Sequence, residues 1–466
     1  MRLFSKLASA FAALTLVAAS ASAQTAVDSI WTARYVVTMD AQRRVIENGA
    51  VAVAGDHIVD IGTRAAIDKA YRPQRRVDRP EAILAPGLIN THTHAAMSLL
   101  RGIADDKKLQ EWLQKFIFPA EAKNVERDYV EWGTRLALAE MALSGTTTYT
   151  DMYYFEDTVA QVTKQAGLRG VLGETVIGFP APDYKTPQAS LAATEKFMQM
   201  YANDPLIVPA VAPHAIYTVP DDVLKLCRAL ANRYQKPLLI HLDETKTEHD
   251  EALAKRKKTP TATLDSLGVL SGWTVAAHAV WVTDADIAIL RMHGTGLAHN
   301  PSSNMKLASG VAPVIKILRT GLSMGLGTDG VAGSNNDHDM MEEMDLAAKL
   351  QKVSLNDPEA LPAEQAFAMA TITGARALRL DNIIGSLEKN KRADMIAVSL
   401  AEPHGMPLYN VYSQLVYALK GSDVTDVMVN GKPIVSDRKL LTIDWNATAA
   451  KTAYYQAKVK QSLGLH

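Results

Sequence analysis

Asn90-Thr91-His92-Thr93-His94 follows an apolar run and a Pro86-Gly87 step. Residues i and i+2 of a strand point to the same side. An HxH at a strand end therefore offers two imidazoles to one point, which suits a divalent metal. Alone, the pair also reads as two surface loop histidines. His241-Leu242-Asp243-Glu244 closes a very apolar run, where a charged or metal-bound imidazole would otherwise be unwelcome. Glu244, three residues on, could reach a metal-held water without ligating the metal; its bland alternative is a helix cap. Thr274-Val275-Ala276-Ala277-His278 again ends an apolar run in a histidine, with a satisfied core histidine as the alternative. Gly327-Thr328-Asp329-Gly330 sets a carboxylate between glycines, as an ordinary turn aspartate also would.

Taken together the four sites form one constellation. His92, His94, His241 and Asp329 make an N₃O set for a borderline divalent ion, with Zn²⁺ first and Fe²⁺ or another first-row metal also fitting. The single cysteine, Cys227, can make neither an intrachain disulfide nor a Cys-rich metal site. His278 and Glu244 remain as proton carriers beside the metal. No lysine lies in the run 206–214, so a lysine bridging two metals is absent and one ion is expected.

The elements that must position these residues are legible as apolar runs at 83–89, 146–151, 170–177, 206–212, 237–242, 274–279, 294–299 and 322–329. Amphipathic helical stretches lie between several of them, most clearly at 128–143 and 222–233. Eight strand–helix units in about 300 residues match a (β/α)₈ TIM-type barrel. A doubly wound sheet would show the same alternation. The polar residue at the end of each run decides between them: His92 and His94, Asp151, Glu174, His214, His241, His278, His299 and Asp329 follow in order. Barrel sites are assembled from those ends.

Both chain ends are β-rich. Runs at 33–38, 49–54 and 57–61 include a Gly55-Asp56 turn; runs at 394–398 and 424–429 precede an Asn430-Gly431 hairpin signal. A small discontinuous β-sandwich built from both termini, residues 24–84 and 385–466, is expected to flank a barrel spanning 85–384. Residues 1–23 read as a cleavable signal peptide: Arg2 and Lys6, an Ala-rich apolar stretch, then Ala21-Ser22-Ala23 before Gln24. The mature chain is expected to be exported, to the periplasm in a Gram-negative cell, with no membrane association after cleavage. The formal net charge of −1 leaves no basic excess for a phosphate backbone, which excludes a nucleic-acid partner of the usual kind.

The run Pro86-Gly87-Leu88-Ile89-Asn90-Thr91-His92-Thr93-His94 resembles the signature of the amidohydrolase superfamily. Its extension Ala95-Ala96-Met97-Ser98-Leu99-Leu100-Arg101-Gly102 is similar to the 5′-methylthioadenosine/S-adenosylhomocysteine deaminase group, which is related to triazine chlorohydrolases and aminohydrolases. Pro213-His214, His241-Leu242-Asp243-Glu244, His299-Asn300-Pro301-Ser302-Ser303-Asn304 and Gly327-Thr328-Asp329-Gly330 carry the likeness across the mature chain. The resemblance implies that His92, His94, His241 and Asp329 hold the metal, that Glu244 shuttles protons, and that His278 orients the attacking water. It places His214 on the purine or ribose and Glu121 on the ribose hydroxyls, with Trp112 as a further substrate contact. Some members carry an arginine on the substrate after the third strand; this chain has Glu174 at about that position. A homo-oligomer is compatible with the resemblance.

The function implied is hydrolytic deamination of an adenosine-type nucleoside (5′-methylthioadenosine, S-adenosylhomocysteine or adenosine), by attack of metal-bound hydroxide with loss of ammonia. The nearest rival is another heterocycle hydrolase of the same fold, such as a triazine chlorohydrolase or a guanine aminohydrolase. A more distant rival is an exported solute receptor on a retired barrel, which would need the site but not Glu244.

Overall fold

The computed structural model describes residues 24–465. The expected signal peptide, residues 1–23, lies outside the described residues. Four strands open the chain: β1 (Thr25–Val37), β2 (Val45–Ala54), β3 (His57–Thr63) and β4 (Tyr71–Pro86). Eight follow in the middle: β5 (Leu88–Thr93), β6 (Thr146–Tyr153), β7 (Arg169–Val176), β8 (Ile207–Pro213), β9 (Leu238–Leu242), β10 (Thr274–His278), β11 (Gly296–His299) and β12 (Met324–Leu326). Four close it: β13 (Met395–Ser399), β14 (Val424–Val429), β15 (Lys432–Ser436) and β16 (Lys439–Leu440).

Strands β5 to β12 form a closed parallel barrel, and the terminal strands form one mixed sheet in the order β16-β15-β14-β13-β4-β1-β2-β3. Trp31, Val51, Ile58, Leu84, Met395 and Met428 share one buried cluster although β3 and β14 stand far apart in that order. The sheet therefore curls over itself into two facing layers. Its two hairpin turns meet: a Cβ on Gly431 would sit 2.0 Å from the Gly55 carbonyl oxygen, so only glycine fits there.

The apolar run read as one strand at 83–89 is divided. Residues up to Pro86 belong to the sheet, and the barrel strand starts at Leu88. Gly87 is the crossing point because a Cβ there would lie 2.2 Å from the Thr147 side chain. Periodicity could not see this break, since both halves are buried and apolar. A buried pair, Arg169 Nη2 to Asp394 Oδ2 at 3.1 Å, ties the start of β7 to the residue before β13. The C-terminal helix, Trp445–Leu463, packs on the barrel helix Arg127–Leu143, with the Tyr129 and Tyr455 rings edge-on at 5.3 Å.

Inside the barrel, Ile89, Met152, Val171, Ala210, Leu239 and Val275 pack with Ala375, Leu378 and Ile384 from the segment beneath. Burial of each larger side chain contributes about 1.5–3 kcal/mol. This packed floor leaves the C-terminal mouth as the place where polar side chains converge. No helix among the described residues is long and apolar enough to cross a membrane.

Candidate metal centre and substrate cavity

His92 and His94 project from the end of β5 to the same side, with ring centroids 4.9 Å apart. Nδ1 of His94 donates to the Met152 carbonyl at 2.7 Å, and Nδ1 of His241 donates to the His214 carbonyl at 2.8 Å. With both Nδ1 atoms used as donors, each Nε2 carries a bare lone pair. Those two Nε2 atoms face one another at 3.3 Å. Nε2 of His92, buried, has no hydrogen-bond partner. Oδ1 of Asp329 lies 3.2 Å from His94 Nε2 and 3.5 Å from His92 Nε2. Three imidazole lone pairs and a carboxylate oxygen thus converge on one point, and a divalent cation is what such a donor set fits.

His92, His241 and Asp329 have the charge states a metal needs, whereas His94 holds a proton in the metal's place near neutral pH. Burial, and then the neighbouring imidazoles, hold His241 neutral, far below the usual imidazole range. Burial also lowers His92, to about 4, against the pull of Asp329. Although burial raises Asp329, its bonds to His92 and His94 hold it ionised well below the usual carboxylate range. Burial lowers His94, but Asp329 lifts it to about 9 overall. A proton and a metal therefore compete for the His94 lone pair, so metal affinity is expected to fall on acidification.

Ser303 Oγ donates to Asp329 Oδ2 at 2.7 Å, and Asn304 Oδ1 accepts from His278 Nδ1 at 3.0 Å. The Asn300–Asn304 stretch is the positioning shelf that sequence reasoning quoted without a role; its Ser and Asn at fixed offsets were the available signal. His278 Nε2 is turned to Glu244 Oε2 at 3.9 Å. His278 also forms with His92 and Asp329 a second set of atoms all within 4.8 Å of one another. Asp243, His278 and Asp329 all have positive φ, at 52°, 76° and 62°. Such backbone costs on the order of 1–3 kcal/mol each and is characteristic of sites that must aim a side chain.

Glu244 is buried, and its backbone N–H donates to Glu248 Oε2 at 2.8 Å. Burial, with help from Asp329, pushes its carboxyl up to about 8 against the pull of His94. It is therefore mostly protonated near neutral pH and can act as a general acid. The helix behind it, Lys246–Arg256, is capped by Thr245 and not by Glu244.

Glu244, His278, His94, His241 and Asp329 line one cavity of about 570 Å³ including its mouth. His214, Glu121 and Trp112 line it too, as expected. His214 Nδ1 is bonded to Thr218 Oγ1 at 2.9 Å, and burial lowers its pKa to about 3, so it meets a ligand as a neutral ring. Glu121 accepts from the Tyr153 hydroxyl at 2.7 Å, and burial raises it to about 7. Trp112 lies in the helical segment over the mouth, anchored by Nε1 to the Ala332 carbonyl at 2.9 Å. Tyr153, Tyr154, Met97 and Tyr217 also line it; the sequence assigns them no role because nothing in their spacing distinguishes them from core residues.

Glu174 is the exception. It does not line the cavity: it is buried, its Oε2 accepts from the Glu156 N–H at 3.0 Å, and it caps the start of the helix Glu156–Ala166. Burial and the nearby Asp183 raise its carboxyl well above the usual range. Strand alternation is the reason: the next residue of β7, Thr175, is the one that reaches the cavity. His299 ends β11 fully buried and is likewise not on the cavity wall.

A parallel barrel with a His/Asp donor set and a buried acid at its C-terminal mouth defines a metal-dependent hydrolase. Residues 83–434 match the Amidohydrolase family, and the chain belongs to that family. It is 45% identical over 437 residues to a 5-methylthioadenosine/S-adenosylhomocysteine deaminase of Syntrophus aciditrophicus, covering 94% of this chain and 98% of that protein. It is 40% identical to a 5′-deoxyadenosine deaminase of Methanosphaera stadtmanae, over 89% of this chain and 95% of that one. A crystal structure of an adenosine deaminase from Xanthomonas campestris with bound zinc superimposes with a TM-score of 0.92 at 39% identity, covering 94% of this chain and 100% of that chain.

Proposed function

We propose that this chain is a hydrolytic deaminase of adenosine-type nucleosides, with 5′-methylthioadenosine, S-adenosylhomocysteine and adenosine as the substrate class and ammonia as the leaving group. The observation that carries this reading is the buried Glu244 in one cavity with the His/Asp donor set, His214 and Glu121. The names of the relatives support the same substrate class.

His92, His94, His241 and Asp329 would hold one divalent ion, zinc by the N₃O chemistry of the set and by the zinc in the Xanthomonas protein. A bound ion lowers the pKa of the water it holds and so supplies a nucleophile near neutral pH. Glu244 gives its proton to the ring nitrogen beside the amino-bearing carbon, which makes that carbon electrophilic. Asp329 and His278 orient the water and take up its proton as the carbon–oxygen bond forms. Of the water's two protons, one reaches the amino group, which leaves as ammonia, and the other restores Glu244. The ring nitrogen keeps the proton it received, so the product is the lactam. His214 and Glu121 hold the base and the ribose hydroxyls.

Incubating metal-loaded protein with a nucleoside panel tests this directly, because conversion of adenine to hypoxanthine shifts the ultraviolet absorbance. Release of chloride from a triazine with no nucleoside turnover would overturn the reading. Elemental analysis is expected to give one divalent ion per chain; two tightly held ions would contradict the single donor set.

The pH profile follows from Glu244. Its acid form is present below its pKa and lost as pH rises through it, and that value is about 8. A bound cation lowers it further, so the alkaline limb of kcat/KM is expected at or below pH ~8. A profile flat to pH ~10 would exclude Glu244 as the acid.

The exported state belongs to this reading as well. A chain starting at Gln24 keeps the whole of β1, Thr25–Val37. Intact-mass measurement of native protein is expected to give a chain starting at or near Gln24; retention of Met1–Ala23 would refute cleavage.

A further inference from the structure

Asp151 stands near the end of β6, fully buried, and no step of the proposed reaction uses it. Its strand pairs irregularly with β5. Asn90 faces Tyr149 and then Thr93 faces Asp151, so three steps along β5 oppose two along β6. An extra residue of this kind bends a strand and re-aims its side chains. The bulge falls on the stretch that carries His92 and leads into His94, where the ladder to β6 is broken.

The Asp151 carboxylate takes the ladder's place. Its Oδ1 accepts from Thr93 Oγ1 and from the Ala95 N–H, each at 2.7 Å, the residues on either side of His94. The next residue of β6, Met152, accepts the His94 ring N–H at its carbonyl. Two consecutive residues thus grip the backbone and the ring of one metal ligand.

The second oxygen of Asp151 leads to Glu156. That residue is fully buried at the start of the helix Glu156–Ala166, with Oε1 on the Tyr153 N–H at 2.9 Å. The two carboxyls lie against each other, and neither Asp151 Oδ2 nor Glu156 Oε2 has a donor while both acids are ionised. One proton between them satisfies both. Burial, and then the Asp151 charge, raise Glu156 well above the usual carboxyl range, which puts that proton on Glu156. Glu174 Oε2 holds the Glu156 N–H and so fixes the helix start from which Glu156 reaches back.

We propose that Asp151 is a positioning residue for the metal ligand His94, and that Glu156 holds Asp151 in place by an O–H bond to its second oxygen. This rests on the metal reading of the site and not on the choice of substrate. Groups that orient a ligand from behind set how tightly the ion is held. If Asp151 merely capped the short turn Ala95–Leu100, its loss would lower thermal stability and leave the metal affinity of the folded protein unchanged.

The test is the zinc affinity of the full chain, read by competition with a chromophoric chelator and so independent of turnover. Asp151→Ala is expected to weaken zinc binding by about 10–100-fold. Asp151→Asn keeps an oxygen for Thr93 and Ala95 and should stay within about threefold of wild type. Glu156→Gln can accept from Tyr153 and donate to Asp151, so it should also hold the affinity; Glu156→Leu removes the donor and should weaken it about tenfold. Val159→Ala opens a cavity under the same helix without touching either carboxyl, and should lower thermal stability while leaving zinc affinity alone. Asp151→Ala and Glu156→Leu proteins that bind zinc as tightly as wild type overturn the proposal, as does a Val159→Ala protein weakened to the same degree. Should Asp151→Ala fail to fold, equal affinities in Glu156→Gln and Glu156→Leu overturn it. A wild-type chain that binds no zinc overturns the metal reading and the proposal together. An enzyme silent on every nucleoside, with the zinc affinities as expected, overturns the substrate reading and supports the role of Asp151.

Discussion

Glu244→Gln is expected to lower kcat by about 10²–10⁴-fold while leaving the metal in place. Glu244 stands outside the His92/His94/His241/Asp329 convergence, with its carboxylate directed to His278 at 3.9 Å. The amide matches the carboxyl in size, and the bond from the backbone N–H to Glu248 does not depend on the side chain. What the amide lacks is a transferable proton, so the ring nitrogen stays unprotonated. The competing account, a helix-capping carboxylate, predicts near-normal turnover and at most ~1 kcal/mol of lost stability. Thr245 already caps that helix, which removes the structural basis of the alternative. The measurement is kcat of the metal-replete variant against wild type. A loss below about fivefold is too small for a missing general acid and would sink the mechanism.

His241→Ala should fail in a different way. His241 supplies one of the converging lone pairs and is oriented by its Nδ1 bond to the His214 carbonyl. Without it the donor set drops from three imidazoles to two, and metal occupancy should fall under dialysis that leaves wild type loaded. Activation of water by the ion is worth several kcal/mol, so turnover is expected to fall on the order of 10³-fold or more. Thermal stability should lose its dependence on added metal, because ligand stabilises only a state that binds it. Excess metal should restore part of the activity, which it cannot do for Glu244→Gln. A His241→Ala protein holding one ion per chain at full turnover would remove His241 from the centre.

The chemistry was readable in the sequence because strand ends concentrate it. An apolar strand tolerates a histidine or aspartate only where it emerges into a polar mouth, so His92, His94, His241, His278 and Asp329 stood out against their own neighbours. The same logic found eight barrel strands and the β-rich ends. Glu244 was legible for a related reason, sitting three residues past such an end.

Only the tertiary structure decided what depends on direction and on neighbours far along the chain. Glu174 and Thr175 are adjacent on one strand, and the pleat alone sends one behind the wall and the other into the cavity. The division at Gly87 follows from the approach of Thr147, sixty residues away and without a local signature. Ser303 and Asn304 became the groups that aim Asp329 and His278 once β10, β11 and β12 lay side by side. That two Nε2 lone pairs face each other follows from backbone carbonyls of Met152 and His214 fixing the rings, and no side-chain identity encodes the position of a carbonyl. Residue type determined which atoms were available to bind a metal and move a proton; the closure of the barrel determined that they share one point.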